Sequence, residues 1–439
     1  MQWPLGFLPE SPSTPVLITS AAPGVDLPGW LRPNREAVEA RLLRHGAVLL
    51  RGFHAASVEK FEQATSALCD TLYPEYGDLP REGESKRIYK STPYPEDLSI
   101  LFHNESSHLP KWPMRQFFSC IVAPQSGGQT PIVDCRTVLD RMRPELVELF
   151  ATKKLRYVRN FIDGVDVSWS RFYGTEDRAE VERKCAAEGT SFAWTPDGGL
   201  RTSRQAEAVL RHPVTGEAVF FNQLALHHPS SLDPETRSSL LGICGDQGMP
   251  RNVFWGDGTV IDDAVVAEVR DLMDRESVVF SWQEGDVLVI DNMLVAHSRS
   301  PFTGLRKVVA LGDMTTEPAP TATDLAGLSG LAGPRAPRDR SHLPDQVNGA
   351  GTAGRQAPAT ADAGSDGGND AGTDAGADAG NDAGTDAGID AGADVGADAG
   401  IVAEITERLR HIVPADSAAI GELVLLTGAS GFVGSFILA

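Results

Sequence analysis

From about residue 100 to residue 316 the chain is a succession of short apolar runs, each closed by turn residues. Gly128 to Val133, Ala218 to Phe221, Val278 to Trp282, Val287 to Ile290 and Lys307 to Leu311 are typical. Runs this brief suit strands better than buried helices, and many of them punctuated by glycine predict a mostly β sandwich or jelly roll with flanking helices. The spacing predicts helices over Glu36 to Arg44, Val58 to Leu72, Thr137 to Lys153 and Thr236 to Cys244, and a strand within His45 to Phe53. Between Asp163 and Arg204 lies a polar, strand-poor stretch with Trp169 and Trp194, which suits either a lid over a site or a packed surface subdomain.

At 439 residues the chain exceeds one ordinary domain, and its composition changes abruptly near Thr315. Residues 317 to 400 are rich in Pro, Ala, Gly and Thr and then repeat Asp-Ala-Gly-x, with too little apolar surface to repay the ordering of the backbone. A disordered linker is expected there, following a domain over 1–316. Of the formal net charge of −21, ten units come from the aspartates spaced every fourth residue from Asp362 to Asp398, leaving −11 for the remainder. That excess excludes a nucleic-acid surface, which needs a basic patch. The five cysteines are widely spaced and read as buried thiols of a reducing cytoplasm. The N-terminus shows no secretory signal and no run is long enough for a membrane span, so a cytoplasmic protein is expected.

His103-Asn104-Glu105 carries the chemistry. If this segment is extended, His103 and Glu105 project to one side and Asn104 to the other, aiming an imidazole and a carboxylate at a common point. A second imidazole from a distant strand, His297, completes two His and one carboxylate on one face of an octahedral metal, leaving positions open as in non-haem Fe(II) oxygenases. His227 and His228, which follow the run Ala218 to Phe221, are the competing distal ligands, and His108 reads as a loop histidine.

The flanks extend the pattern. Ser91-Thr92-Pro93-Tyr94-Pro95 leads into Ile100-Leu101-Phe102-His103, Trp112-Pro113 and Phe117-Phe118-Ser119-Cys120 follow, and Gly127-Gly128-Gln129-Thr130-Pro131 opens the next run. Gly285 to Asn292 then delivers His297 at the end of a strand. In this order the set resembles the taurine dioxygenase-like family of Fe(II)/2-oxoglutarate oxygenases, in its His-x-Glu branch, over about residues 15 to 316. The resemblance implies a double-stranded β-helix of jelly-roll type, Fe(II) on His103, Glu105 and His297, and 2-oxoglutarate and O₂ as co-substrates. It places Arg306, in Pro301 to Val308, and Thr130 at the far carboxylate of 2-oxoglutarate, where an arginine fork suits bidentate binding. Arg299 is the competing arginine, and Thr130 also reads as a strand opening. Asn222 and Gln223 resemble a pocket-lining motif and equally suit strand capping.

What the resemblance implies about activity is hydroxylation of an unactivated carbon, coupled to decarboxylation of 2-oxoglutarate to succinate and CO₂. Glu105 retains the carboxylate that the related halogenases have exchanged for Ala or Gly. The His-x-Glu branch resembles amino-acid hydroxylases of peptide natural-product pathways, so the substrate expected is an amino acid, free or presented by a peptidyl-carrier protein. A non-catalytic jelly-roll binding module would instead show a broken triad. Leu423 to Gly434, a strand running into a glycine turn, resembles the opening of a thioester reductase domain, which at 401–439 is only a truncated start and makes an accessory part of a split reductase fusion the remaining alternative.

Overall fold

In the computed structural model the described residues are 16–20, 24–53, 55–69, 89–90, 95–162, 167–196 and 198–314. The Ser91–Tyr94 flank, the linker expected at 317–400 and the start of a dinucleotide fold expected at 401–439 lie outside them. The apolar runs become two sheets that share a core. The larger has six strands in the order Val16–Thr19, Ala47–Arg51, Val287–Asp291, Pro113–Val122, Lys307–Met314 and Tyr89–Lys90; only its first pair is parallel. The smaller is Ile100–His103, Val295–Arg299 and Ile132–Asp134, antiparallel throughout. Together they form the expected jelly roll with flanking helices.

Alternation along Pro113–Val122 sorts its side chains between two cores. Phe118 and Cys120 face the interior with Leu288, Ile290 and Val308, while Phe117 faces outward. The outer face is covered by the helices Leu27–His45 and Val58–Leu68, which bury Leu27, Leu31 and Phe61 against Val48, Leu50 and Val289. The first helix begins nine residues before the expected start, despite Pro33. Asp26 caps it by accepting from Gly29 N, Pro28 occupies its opening turn, and the burial of Leu27 and Leu31 offsets the backbone bond that Pro33 cannot make. It ends at Gly46, with φ of 78°, where a Cβ would lie 2.5 Å from Val295 Cγ2. This close approach seats the helix end against the strand that carries His297.

Three expectations need correction. Thr137 to Lys153 is two helices, Cys135–Arg141 and Pro144–Lys153, because Pro144 opens a new first turn and cannot continue the old one. Val278 to Trp282 is not a strand: Val278 bridges Ile132, but the Ser281 carbonyl accepts from the Arg51 guanidinium instead of a neighbouring strand. The stretch before Arg204 is not strand-poor. Ser191–Trp194 and Leu200–Ala206 join Leu155–Phe161 and Arg251–Trp255 in a four-stranded antiparallel sheet. With the helices Trp169–Tyr173 and Arg178–Ala187 these strands enclose a small core of Phe161, Val181, Cys185 and Leu200, the packed-subdomain alternative. All five cysteines are free and four are buried. No helix among the described residues is long and apolar enough to cross a membrane.

Candidate metal centre

His103 closes the strand Ile100–His103 and stands directly opposite His297 in the neighbouring strand, so the pairing register brings the two imidazoles together. Their ring centroids are 4.2 Å apart. Glu105 is not on the strand, as strict alternation required, but in the turn that follows it, where Ser106 takes a φ of 56°. The turn still returns the carboxylate to the same point. One donor atom each from His103, Glu105 and His297 lies within 4.8 Å of the others, and no other such group of three occurs among the described residues.

The protonation states suit a cation. His103 Nδ1 donates to the Leu101 carbonyl at 2.8 Å, which orients the ring and leaves Nε2 facing the site, 3.8 Å from Glu105 Oε2. Burial, reinforced by the nearby His103, drives the His297 imidazole well below its usual pKa, and so it is neutral. Burial pushes the Glu105 carboxyl up, but its contact with His103 outweighs this and holds it below the ordinary range. Gln116 and Ser106 each donate to the same carboxylate at 3.3 Å. Two imidazoles and one carboxylate fit Fe(II), for which this donor set is well matched.

Asn104, pointing away as alternation requires, is the staple that fixes the turn. Its side-chain amide donates to the Asn292 carbonyl at 2.7 Å and its oxygen accepts from Asn222 N at 3.0 Å. Asn292 answers by accepting from Glu105 N at 2.8 Å and donating to the Glu105 carbonyl at 2.9 Å. The turn of one ligand is thus tied to the loop that precedes the other. That loop is clamped by Asp291, which accepts from Met293 N and Leu294 N and pairs with the fully buried His212 at 3.0 Å.

Pro113–Val122 links this point to a second one. Gln116 reaches Glu105, Phe118 packs its ring 5.0 Å from His297, and Cys120 stands opposite Val308, two residues after Arg306. These three side chains share the inward face at period two, so one strand spans the metal point and the arginine. Arg306 stacks on Phe302 and its Nε donates to the Gly128 carbonyl at 3.0 Å. Burial, with the nearby positive charge of Arg299, pulls its pKa down to about 10, which leaves it charged at neutral pH. Arg299 also lies over Phe302 but turns its guanidinium to the Pro95 and Leu98 carbonyls. Thr130 is buried and accepts from the Trp282 indole at 3.1 Å.

The competing histidines lie elsewhere. His228 bonds Ser230 and the Ile261 carbonyl. His227 ends the short helix Leu224–His227 and stacks on His108 at 4.7 Å and edge-on to Tyr157 at 5.3 Å. Asn222 Oδ1 accepts from Leu224 N at the start of the helix Leu224–His227, a helix cap in place of the strand cap expected, and Gln223 donates to the Asn104 carbonyl. Sequence reasoning missed Gln116, although a polar residue at an inward position of an otherwise apolar strand is a readable signal. It also missed Tyr157, for which no local pattern gives notice.

The family model of the taurine catabolism dioxygenase TauD, TfdA family matches residues 11–311. The chain belongs to this family. As a TauD, TfdA member it is an oxygenase that uses Fe(II), with 2-oxoglutarate and O₂ as co-substrates. It is 37% identical over 282 residues to the dapdiamide synthesis protein DdaC of Enterobacter agglomerans, covering 64% of this chain and 86% of that one. It is 30% identical over 323 residues to a clavaminate synthase-like protein of Arabidopsis thaliana, covering 70% and 92%. Among solved TauD-like structures, a taurine dioxygenase from Burkholderia xenovorans aligns with a TM-score of 0.41 at 16% identity, covering 72% of this chain and 90% of that one.

Proposed function

We propose that this chain is a cytoplasmic hydroxylase that oxidises an unactivated carbon of an amino acid, free or tethered to a peptidyl-carrier protein, in the synthesis of a peptide natural product. The observation that carries the reading is the convergence of two imidazoles and one carboxylate beside a strand that also leads to a half-buried arginine. The relative named for dapdiamide synthesis supports a biosynthetic setting.

His103, Glu105 and His297 would hold Fe(II), and Arg306 with Thr130 the far carboxylate of 2-oxoglutarate. When bound, the metal supplies O₂ activation coupled to decarboxylation of the co-substrate. The chain's own residues do the positioning. Gln116 and Ser106 fix the Glu105 carboxylate, the Leu101 carbonyl orients the His103 ring, and Asn104 with Asn292 sets the distance between the two ligand-bearing segments. Phe118 and the surrounding apolar residues exclude water from one side of the site, which strengthens the charge interactions inside it. Arg306, pre-set on Phe302 and Gly128, offers a fixed cation that binds a carboxylate without first being ordered.

Anaerobic addition of Fe(II) and 2-oxoglutarate should give a weak visible charge-transfer band, absent in His103→Ala and in His297→Ala. A succinate-release screen of amino acids, offered free and as carrier-loaded thioesters, then reports the substrate. Retention of the band in both alanine variants would overturn the ligand assignment.

A further inference from the structure

Val278 to Trp282 meets its neighbouring strand only at Val278, yet its backbone is fixed along its length. Val278 exchanges both backbone hydrogen bonds with Ile132, at 2.8 and 3.0 Å. Further on, both neighbours of Trp282 are held: the Ser281 carbonyl accepts from Arg51, and Gln283 N donates to Asp286, which Arg51 also pairs at 2.7 Å. So anchored, the segment delivers one polar atom to the interior. The buried indole of Trp282 packs edge-on with Phe280 at 5.0 Å and donates from Nε1 to Thr130 Oγ1 at 3.1 Å. Thr130 is 3% exposed. Its segment extends the register that sets Ile132 opposite His297, with Ser298 N on the Pro131 carbonyl at 2.9 Å and Ser300 N on the Gln129 carbonyl at 3.1 Å. Thr130 therefore shares the face of His297, two positions or roughly 7 Å along the strand. Two residues before it, the Gly128 carbonyl accepts from Arg306 Nε at 3.0 Å, so Thr130 lies midway between the residue beside His297 and the residue beside Arg306. An indole N–H can only donate, so Thr130 accepts from it and keeps one hydrogen to give. Among the described residues no acceptor takes that hydrogen. A buried donor left unmet is costly, and one placed between a metal centre and an arginine is suited to an anion. A hydroxyl that accepts one hydrogen bond also donates a stronger one, because the two bonds polarise each other.

We propose that Trp282 is a positioning residue of the co-substrate site: its indole N–H fixes Thr130 as a donor, turning the hydroxyl hydrogen onto the far carboxylate of 2-oxoglutarate beside Arg306. This rests on the proposed function, in which Thr130 and Arg306 hold that carboxylate. Trp282 acts through the hydroxyl and not by contact with the co-substrate. Without the N–H, the hydroxyl loses its set direction and part of its strength as a donor.

The test is a double-mutant cycle on the full chain, read as the dissociation constant of 2-oxoglutarate from anaerobic titration of the Fe(II) charge-transfer band. Equilibrium dialysis of Fe(II) and thermal unfolding accompany each variant. Trp282→Phe, which keeps an aromatic ring and loses the N–H, should raise the constant about fivefold, and Thr130→Val about tenfold, both with Fe(II) affinity unchanged. Added to Thr130→Val, the change Trp282→Phe should alter the constant by less than about twofold, since the hydroxyl through which it acts is already gone. Should Trp282→Phe fail to fold, benzothienylalanine at the same position, with sulfur in place of the N–H, keeps the shape and should give the same fivefold rise. No rise in a folded variant lacking the N–H, or an equal rise in the Thr130→Val background, would overturn the proposal, the second result meaning that the ring only packs. An unchanged constant in Thr130→Val would overturn it too while leaving the band, and with it the oxygenase reading, intact. A wild-type chain that gives no band overturns that reading, and this inference with it.

Discussion

Gly128 offers a way to move Arg306 without removing its charge. A Cβ added there would lie 3.0 Å from Arg306 Cδ, 3.1 Å from its Nε and 2.8 Å from Pro124 Cγ, so the arginine must give by a few tenths of an ångström. Gly128 also has a φ of 65°, where alanine costs roughly 1–2 kcal/mol of fold stability. The displacement acts on a charge-assisted, bidentate contact worth about 1.5–3 kcal/mol when well aligned. Losing about half of the upper figure amounts to roughly 1.4 kcal/mol, or about a tenfold rise in the dissociation constant of 2-oxoglutarate. Gly128→Ala should therefore bind 2-oxoglutarate about tenfold more weakly while retaining Fe(II) affinity, since no metal-ligand candidate is touched. Anaerobic titration of the charge-transfer absorbance measures the first quantity and equilibrium dialysis of the metal the second. An unchanged 2-oxoglutarate constant in a folded Gly128→Ala protein would refute Arg306 as the clamp. Gly127→Ala is the contrast: its Cβ would fall 2.0 Å from the Pro301 carbonyl oxygen, a backbone clash that should unfold the region altogether.

Asn104→Leu keeps the volume but strands the buried Asn292 carbonyl and Asn222 N–H, so urea unfolding should show a loss of about 3 kcal/mol; a loss below roughly 1 kcal/mol would contradict the stapling role. His212→Leu leaves Asp291 buried without its imidazole, and the same measurement should show a loss of about 3–5 kcal/mol, with a near-neutral change arguing against the clamp on the loop before His297. His227 is neutral in the folded chain and ordinary once unfolded, so its contribution is present above about pH 6.5 and is lost as pH falls below it, because the unfolded state then takes up the proton first. The metal-free protein should accordingly lose stability toward acid, and His227→Gln should make that slope shallower by up to about 1.4 kcal/mol per pH unit. An identical slope would mean that His227 does not titrate between the two states.

What the sequence made legible followed from local periodicity. The strands at Val287–Asp291 and Ala218–Phe220 are signalled by that pattern, whereas the candidate ligands His103, Glu105 and His297 stand out through the family resemblance, and the structure brings those three side chains together. Period two alone gave the wrong reason for Glu105, which reaches the site through a turn held by Asn292, a residue far away in sequence. Tertiary context likewise decided the long first helix, whose Pro33 reads locally as a break, and the two strands between Ser191 and Ala206, which look polar because one face of their sheet is solvated. The facing of Arg159 and Arg251 was invisible for the same reason: it exists only in the register of two strands distant in the chain.

Because Gln116, Phe118 and Cys120 occupy alternate positions of a strand paired on both edges, slipping it by one residue would turn all three outward together and bring Phe117 and Ser119 in. No partially registered sheet retains half a site. The capacity to coordinate a metal and the capacity to hold a diacid should therefore appear in the same kinetic phase of refolding, which makes either one a reporter of central-sheet assembly.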